Sequence, residues 1–170
     1  MKIISILCLA FLIGSCGPKE NAKDYFSKGK TLYDEEKDSL AIINLTNAIE
    51  LDTNHKDAYY LRAYANHRYG NYQAAIHDYS KTIEIDPRND EAYYFRGVVK
   101  GNLNDFTGAI ADYSKAIEIN PTNGEAFHNR GMMKINLGMN DSACADFQMA
   151  KNLQISMADS AIHRYCKIEQ

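Results

Sequence analysis

The residues of this 170-residue chain that could do chemistry are five histidines, four cysteines and a regular series of arginines and aspartates. His55, His67, His77, His128 and His163 are scattered, and no nucleophile, base and acid stand in a recognisable set. No Gly-rich phosphate loop is present, and acids such as Glu84 and Glu118 read as solvated helix faces. Cys144, His163 and Cys166 would offer a metal only three ligands, without paired short spacings. No Cys-x-x-Cys supports thiol–redox turnover. The expectation is therefore no catalytic residue, no metal and no cofactor. Net charge is -3 with no Lys/Arg run, so phosphate-neutralising contacts to nucleic acid are not expected either.

Cys16 is a different case. Lys2 precedes an apolar run from Ile3 to Ile13, broken only by Ser5 and followed by Gly14 and Ser15. The run is about half of the roughly 20 residues that a membrane-spanning helix needs, and suits the core of a secretory signal. Ile13-Gly14-Ser15-Cys16 resembles the lipobox of bacterial lipoproteins. That resemblance implies cleavage after residue 15 and a diacylglycerol on Cys16, the first residue of the mature chain. An ordinary cleaved signal with an incidental cysteine is the alternative. Gly17 rather than Asp after the cysteine leans, by resemblance to enterobacterial sorting, toward the outer membrane.

The elements that must position everything else repeat. Ala41, Ala75, Ala109 and Ala143 are spaced by 34 residues, as are Leu45, Tyr79, Tyr113 and Phe147. The segment Asp78–Pro87 returns as Asp112–Pro121 with conservative changes. Within each period, apolar residues recur at helical spacing, as in Tyr72-x-x-Ala75-Ile76-x-x-Tyr79. Asn71 and Asp105 suit helix starts, Gly70 and Gly138 suit tight turns, and Pro87 and Pro121 stop the second helix. A fixed period of this length is a helix–turn–helix repeat. Gly29, Ala63, Gly97 and Gly131 mark close helix approach, with the alanine series expected opposite them.

These residues resemble the tetratricopeptide-repeat family. The resemblance implies an all-α, right-handed α-solenoid of four repeats at 22–55, 56–89, 90–123 and 124–157, followed by a capping helix and C-terminus over 158–170. Residues 1–15 would be signal peptide, and 16–21 the lipidated cysteine and its tether. Repeat one departs from the pattern at Glu36, Asp38 and Thr53, and repeat four at Asn140 and Ile155. End repeats are expected to be atypical, because one side of each faces solvent.

In this family the first helices line a concave, partner-binding groove. Projected onto this chain, that groove holds Phe26, Tyr60, Tyr64, Tyr94, Val98, His128 and Met132, with Glu91 and Glu125 along its edge. Rings give large contact area at low entropy cost, which suits protein recognition; filling space between repeats is the alternative role. The carboxylate clamp of chaperone-tail receptors has no counterpart at Phe26, Lys30, Leu61, Glu91 and Phe95. A second ladder, Lys28, Arg62, Arg96 and Arg130, runs opposite Asn44, Asp78, Asp112 and Asp146 and is expected to form inter-helix ion pairs. Cys144, on the last repeat, and Cys166, on the cap, are candidates for a disulfide or for two free thiols.

The expected function is a non-catalytic, lipid-anchored envelope adaptor or scaffold that binds a protein or peptide near the membrane. The linker Gly17–Asn21 reaches roughly 17 Å when extended, which holds repeat one near the lipid. An accessory subunit binding cell-wall glycan or peptide is the second expectation, and a thiol-redox protein a remote third.

Overall fold

The computed structural model describes residues 20–166. The segment expected to be a signal peptide, Cys16, most of the expected tether and the last four residues lie outside the described residues. Nine α-helices and no strand are found among them: α1 (Ala22–Asp34), α2 (Asp38–Leu51), α3 (Lys56–Tyr69), α4 (Tyr72–Ile85), α5 (Asp90–Asn102), α6 (Phe106–Ile119), α7 (Gly124–Asn136), α8 (Asn140–Asn152) and α9 (Met157–Tyr165). Each helix packs on the next, and each odd-numbered helix also touches the following odd-numbered one. The result is an α-solenoid whose first helices form one continuous row.

Local sequence explains the boundaries. Asn21, His55, Asn89, Asp105 and Asn123 each accept a backbone N–H of the first turn through the side chain. Asn71 also precedes a helix, but its side chain makes no capping bond; it donates to Asn66 Oδ1 instead. The turn within each repeat is left-handed at one position, with φ of 59° at Glu36, 90° at Gly70, 61° at Asn104 and 74° at Gly138. Glycine takes that conformation without Cβ strain, whereas Glu36 holds it at a cost.

The core is a ladder of small and large residues. Ala41, Ala75, Ala109 and Ala143 are fully buried, as are Leu45, Tyr79 and Phe147, with Tyr113 at 2% exposure. The small residues of the first helices meet these large side chains, and Ala63 shares a cluster with both Ala75 and Tyr79. A Cβ added to Gly97 would lie 2.9 Å from the Tyr113 ring, and one on Gly131 2.6 Å from the Phe147 ring. The side chain four residues beyond each alanine therefore fills the space that the missing Cβ leaves on Gly29, Gly97 and Gly131.

The arginine–aspartate ladder ties helices within and between repeats. Arg62, Arg96 and Arg130 each donate through Nε and Nη2 to both oxygens of Asp78, Asp112 and Asp146, at 2.6–2.9 Å. The third donor, Nη1, reaches back to Thr46, Ser80 and Ser114 of the preceding repeat at 2.9–3.0 Å. Each guanidinium also lies over the ring three residues earlier, Tyr59, Tyr93 or Phe127, at 5.4–5.6 Å. Asp112 and Asp146 receive a second cation, Lys100 and Lys134, at 2.7 and 2.8 Å. Repeat one breaks the ladder: Lys28 pairs with Glu20 at 3.5 Å, and Asn44 donates to its own helix at Leu40.

Two departures in the end repeats have structural partners. Asp38, where other repeats carry a ring, accepts from Arg68 of repeat two, whose guanidinium also lies 4.2 Å from the Tyr33 ring centroid. At the other end, Cys144 on α8 and Cys166 after α9 form a disulfide. It fastens α9 over an apolar cluster that includes Ala143, Phe147 and Ala161, with Met132 and Tyr165 against it.

Candidate partner-binding groove

The row of first helices α1, α3, α5 and α7 carries all seven groove residues singled out from the sequence. None of the seven is fully exposed; six are half-buried and His128 is buried. Phe26 packs against His55 with ring centroids 4.7 Å apart and the rings tilted. Tyr64 sits between Tyr33 and Phe95, at 5.7 and 4.9 Å. Tyr60 touches Tyr79 and Phe95 edge-on. Rings from successive repeats thus interlock, so the floor of repeats one to three is a rigid aromatic surface.

Polar tips fix that surface. Tyr60 Oη donates to Glu91 at 3.0 Å and Tyr94 Oη donates to Glu125 at 3.0 Å, each one repeat further along. Asn129 Nδ2 donates to Tyr94 Oη at 3.1 Å. Burial and the neighbouring glutamate push both phenols well above their ordinary value, so they stay neutral donors at physiological pH. Glu91 and Glu125, read from sequence as groove edges, act as inter-repeat acceptors.

The far end of the row is partly covered by α9, which leaves a pocket of about 210 Å³ beside His128 and Met132. His128 is 8% exposed and packs on Phe147 at 5.6 Å, and Met132 joins the cluster beneath α9. The cap therefore shelters the end of the groove as well as the flank of repeat four. Burial lowers the His128 pKa below its ordinary value, and its Nδ1 finds no hydrogen-bond partner among the described residues. Val98 lies on the stretch that remains accessible, beside Gly101, Met133 and a group of asparagines.

Several of these participants had a signal in the sequence. Thr46, Ser80 and Ser114 stand 34 apart with a hydroxyl each time, and the same spacing relates Lys100 to Lys134. Their partners lie 16 or 12 residues away, a separation that alignment of repeats does not expose. Among the described residues, no three His, Cys, Asp or Glu side chains come together as metal ligands, and no helix is long and apolar enough to cross a membrane.

Comparison with known proteins agrees with the geometry. A model of the tetratricopeptide repeat matches residues 57–89 and 90–123, and a second model of that repeat matches 113–145. The chain belongs to the tetratricopeptide-repeat (TPR) family, and its fold is that of a protein–protein interaction module. It is similar in structure to MamA, with 28% identity, TM-score 0.77, and coverage of 85% of this chain and 82% of that one. It is also similar to YrrB, described as a TPR protein with an unusual peptide-binding site, with 26% identity, TM-score 0.72 and coverage of 80% and 70%. The first TPR domain of Spaghetti (RPAP3), bound to the HSP90 peptide SRMEEVD, shares the fold at 24% identity and TM-score 0.67, covering 69% of this chain and 94% of its own. No curated protein matches the chain by sequence.

Proposed function

We propose that this protein is a non-catalytic adaptor, anchored to the bacterial envelope through a lipid on Cys16, that presents its concave face to a membrane-proximal protein partner. The observation that carries the reading is the interlocked row of Tyr60, Tyr64, Phe95 and Tyr94, held by hydrogen bonds from one repeat to the next. A surface fixed in this way loses little entropy on binding, and its rings offer the contact area typical of recognition surfaces. The peptide-binding relatives support a polypeptide as the ligand class.

The anchor rests on the sequence from Lys2 to Cys16 and on the disulfide between Cys144 and Cys166. Such bonds persist in oxidising compartments, which supports export. With a tether of roughly 17 Å, a lipidated chain would keep repeat one beside the bilayer. The outer membrane is our preferred site. The test is labelled fatty-acid incorporation and membrane fractionation of the full chain beside Cys16→Ser. Incorporation into wild type alone, with Cys16→Ser released from the membrane fraction, is the expected result. Equal fractionation of the two proteins without label would overturn the anchor.

A further inference from the structure

Helix α2 is apolar on two opposite sides. Ala41, Leu45 and Ala48 are buried, with Leu45 against Gly29 of α1, while Leu40, Ile43 and Leu51 are each about half exposed. With Asn47, the exposed three fall at i, i+3, i+7 and i+11, one stripe roughly 16 Å long on the side away from α1. No other repeat carries large apolar residues at the first two of these places. Repeat two has Ala74 and His77 there, repeat three Gly108 and Ala111, and repeat four Ser142 and Ala145. Asn47 stands where Lys81 and Lys115 pair with Glu84 and Glu118. Repeat one therefore lacks the ion pair that keeps this face hydrated in the two repeats that follow.

The stripe lies where the chain leaves toward its expected anchor. Glu20, the first described residue, lines one pocket with Tyr25, Asn47, Glu50 and Leu51. Cys16 is four residues earlier, so a lipid attached to it lies within about 14 Å of Glu20. We propose that the α2 stripe is a membrane-docking face, with Leu40, Ile43 and Leu51 seated in the interface of a zwitterionic phospholipid bilayer. This inference rests on the anchor reading above and extends it from a point of attachment to an orientation. Docking on that side of α2 turns the row of first helices away from the lipid, toward the aqueous compartment.

A bilayer fits the stripe better than a second copy of the chain does. Stable interfaces bury about 800 Å² on each partner, far more than three half-exposed aliphatic side chains supply. A tethered chain needs only a weak contact, because the anchor makes docking intramolecular. Helices that lie on membranes bury an apolar stripe of this kind at the boundary between headgroups and acyl chains. The polar groups beside it tolerate that place: Asn44 Nδ2 donates to the Leu40 carbonyl of its own helix, and Asn47 carries no charge. Glu20 and Glu50 at the edge set the lipid class, since an anionic surface would repel them.

The chain has no tryptophan, so a single one serves as reporter. Ile43→Trp places it on the stripe, and Ala111→Trp places it at the equivalent exposed position of repeat three. The full chain is purified from a bacterial host, the lipid on Cys16 is checked by intact mass, and the protein is reconstituted into phosphatidylethanolamine–phosphatidylcholine vesicles with brominated acyl chains. Emission of Ile43→Trp should shift to the blue and be quenched at least about twofold more than that of Ala111→Trp. Adding Leu40→Glu and Leu51→Glu should remove the quenching while the lipid keeps the protein on the vesicles. Vesicle-bound Ile43→Trp with unquenched emission would overturn the docking face and leave the anchor standing. A blue shift already present in water, in the Cys16→Ser protein, would overturn it in favour of a second copy or the chain's own N-terminal segment on the stripe. Quenching that requires phosphatidylglycerol would overturn the assignment to zwitterionic lipid. A Cys16 without lipid would bring down the anchor reading and this inference with it.

Discussion

Arg96 donates to Ser80 Oγ of the preceding repeat at 2.9 Å while its other two donors hold Asp112. One guanidinium thus joins three helices, and the same is true of Arg62 and Arg130. The consequences of losing it should differ by repeat. Asp112 keeps Lys100 at 2.7 Å, but the place of Lys100 in repeat two is Asn66, which leaves Asp78 only the exposed His77 at 3.1 Å. Arg62→Ala should cost about 3–5 kcal/mol by stranding a carboxylate that is 3% exposed, and Arg96→Ala should cost less. Urea unfolding of the two variants compares them directly; equal losses would contradict the role given to Lys100.

The legible part of this molecule was the part that repeats. Ala41 to Ala143 and Leu45 to Phe147 announced the helix pairs because packing one repeat on the next demands the same residue sizes at the same places. The Arg–Asp ladder was legible for the same reason. What sequence did not show was geometry that crosses the period. Tyr60 to Glu91 and Arg62 to Thr46 join different positions of different repeats, so no column of the alignment contains both partners. Nor did it show that α9 would bury His128, since a cap is a single copy with no repeat to compare. Nor did it show that Asp38, a departure from the repeat pattern, has Arg68 of the next repeat as its partner.

Glu36 holds φ at 59° where repeats two and four have glycine. Its side chain is exposed and its backbone is strained, so Glu36→Gly should stabilise the protein by about 1 kcal/mol. Thermal unfolding checks this. A loss of stability would mean that the glutamate makes a compensating interaction in the turn.

Acid should weaken the protein through buried His128 and half-buried His67. Burial lowers the pKa of His128 and of His67 in the folded chain. Well above about pH 6.5 both are neutral folded or unfolded, and neither affects stability. Below that, the unfolded chain takes up protons that the folded chain refuses, so stability falls as pH drops. Urea midpoints should decline from about pH 7 to about pH 5, and His128→Gln should flatten part of that decline. An unchanged slope in the variant would remove His128 from this account.

The bond between Cys144 and Cys166 closes a loop over a sequence separation of 22. Its loss by Cys166→Ser should cost about 3 kcal/mol, concentrated in α9. Hydrogen exchange should then show faster exchange over Met157–Tyr165 with α1 to α6 unaffected. Intact mass of the wild type should rise by two hydrogens on reduction; no change would mean that the thiols are free.

Val98 is the position at which to ask whether the concave row binds a protein partner. It is half-buried beside the open stretch and makes none of the inter-repeat hydrogen bonds carried by Tyr60 and Tyr94. The measurement is cross-linking and affinity purification of the full chain from its native cell, comparing wild type with Val98→Arg at matched helical circular dichroism. Wild type should co-purify with a small set of envelope proteins, and the charged substitution should abolish them. The same set recovered with Val98→Arg would contradict this expectation and place recognition on another face.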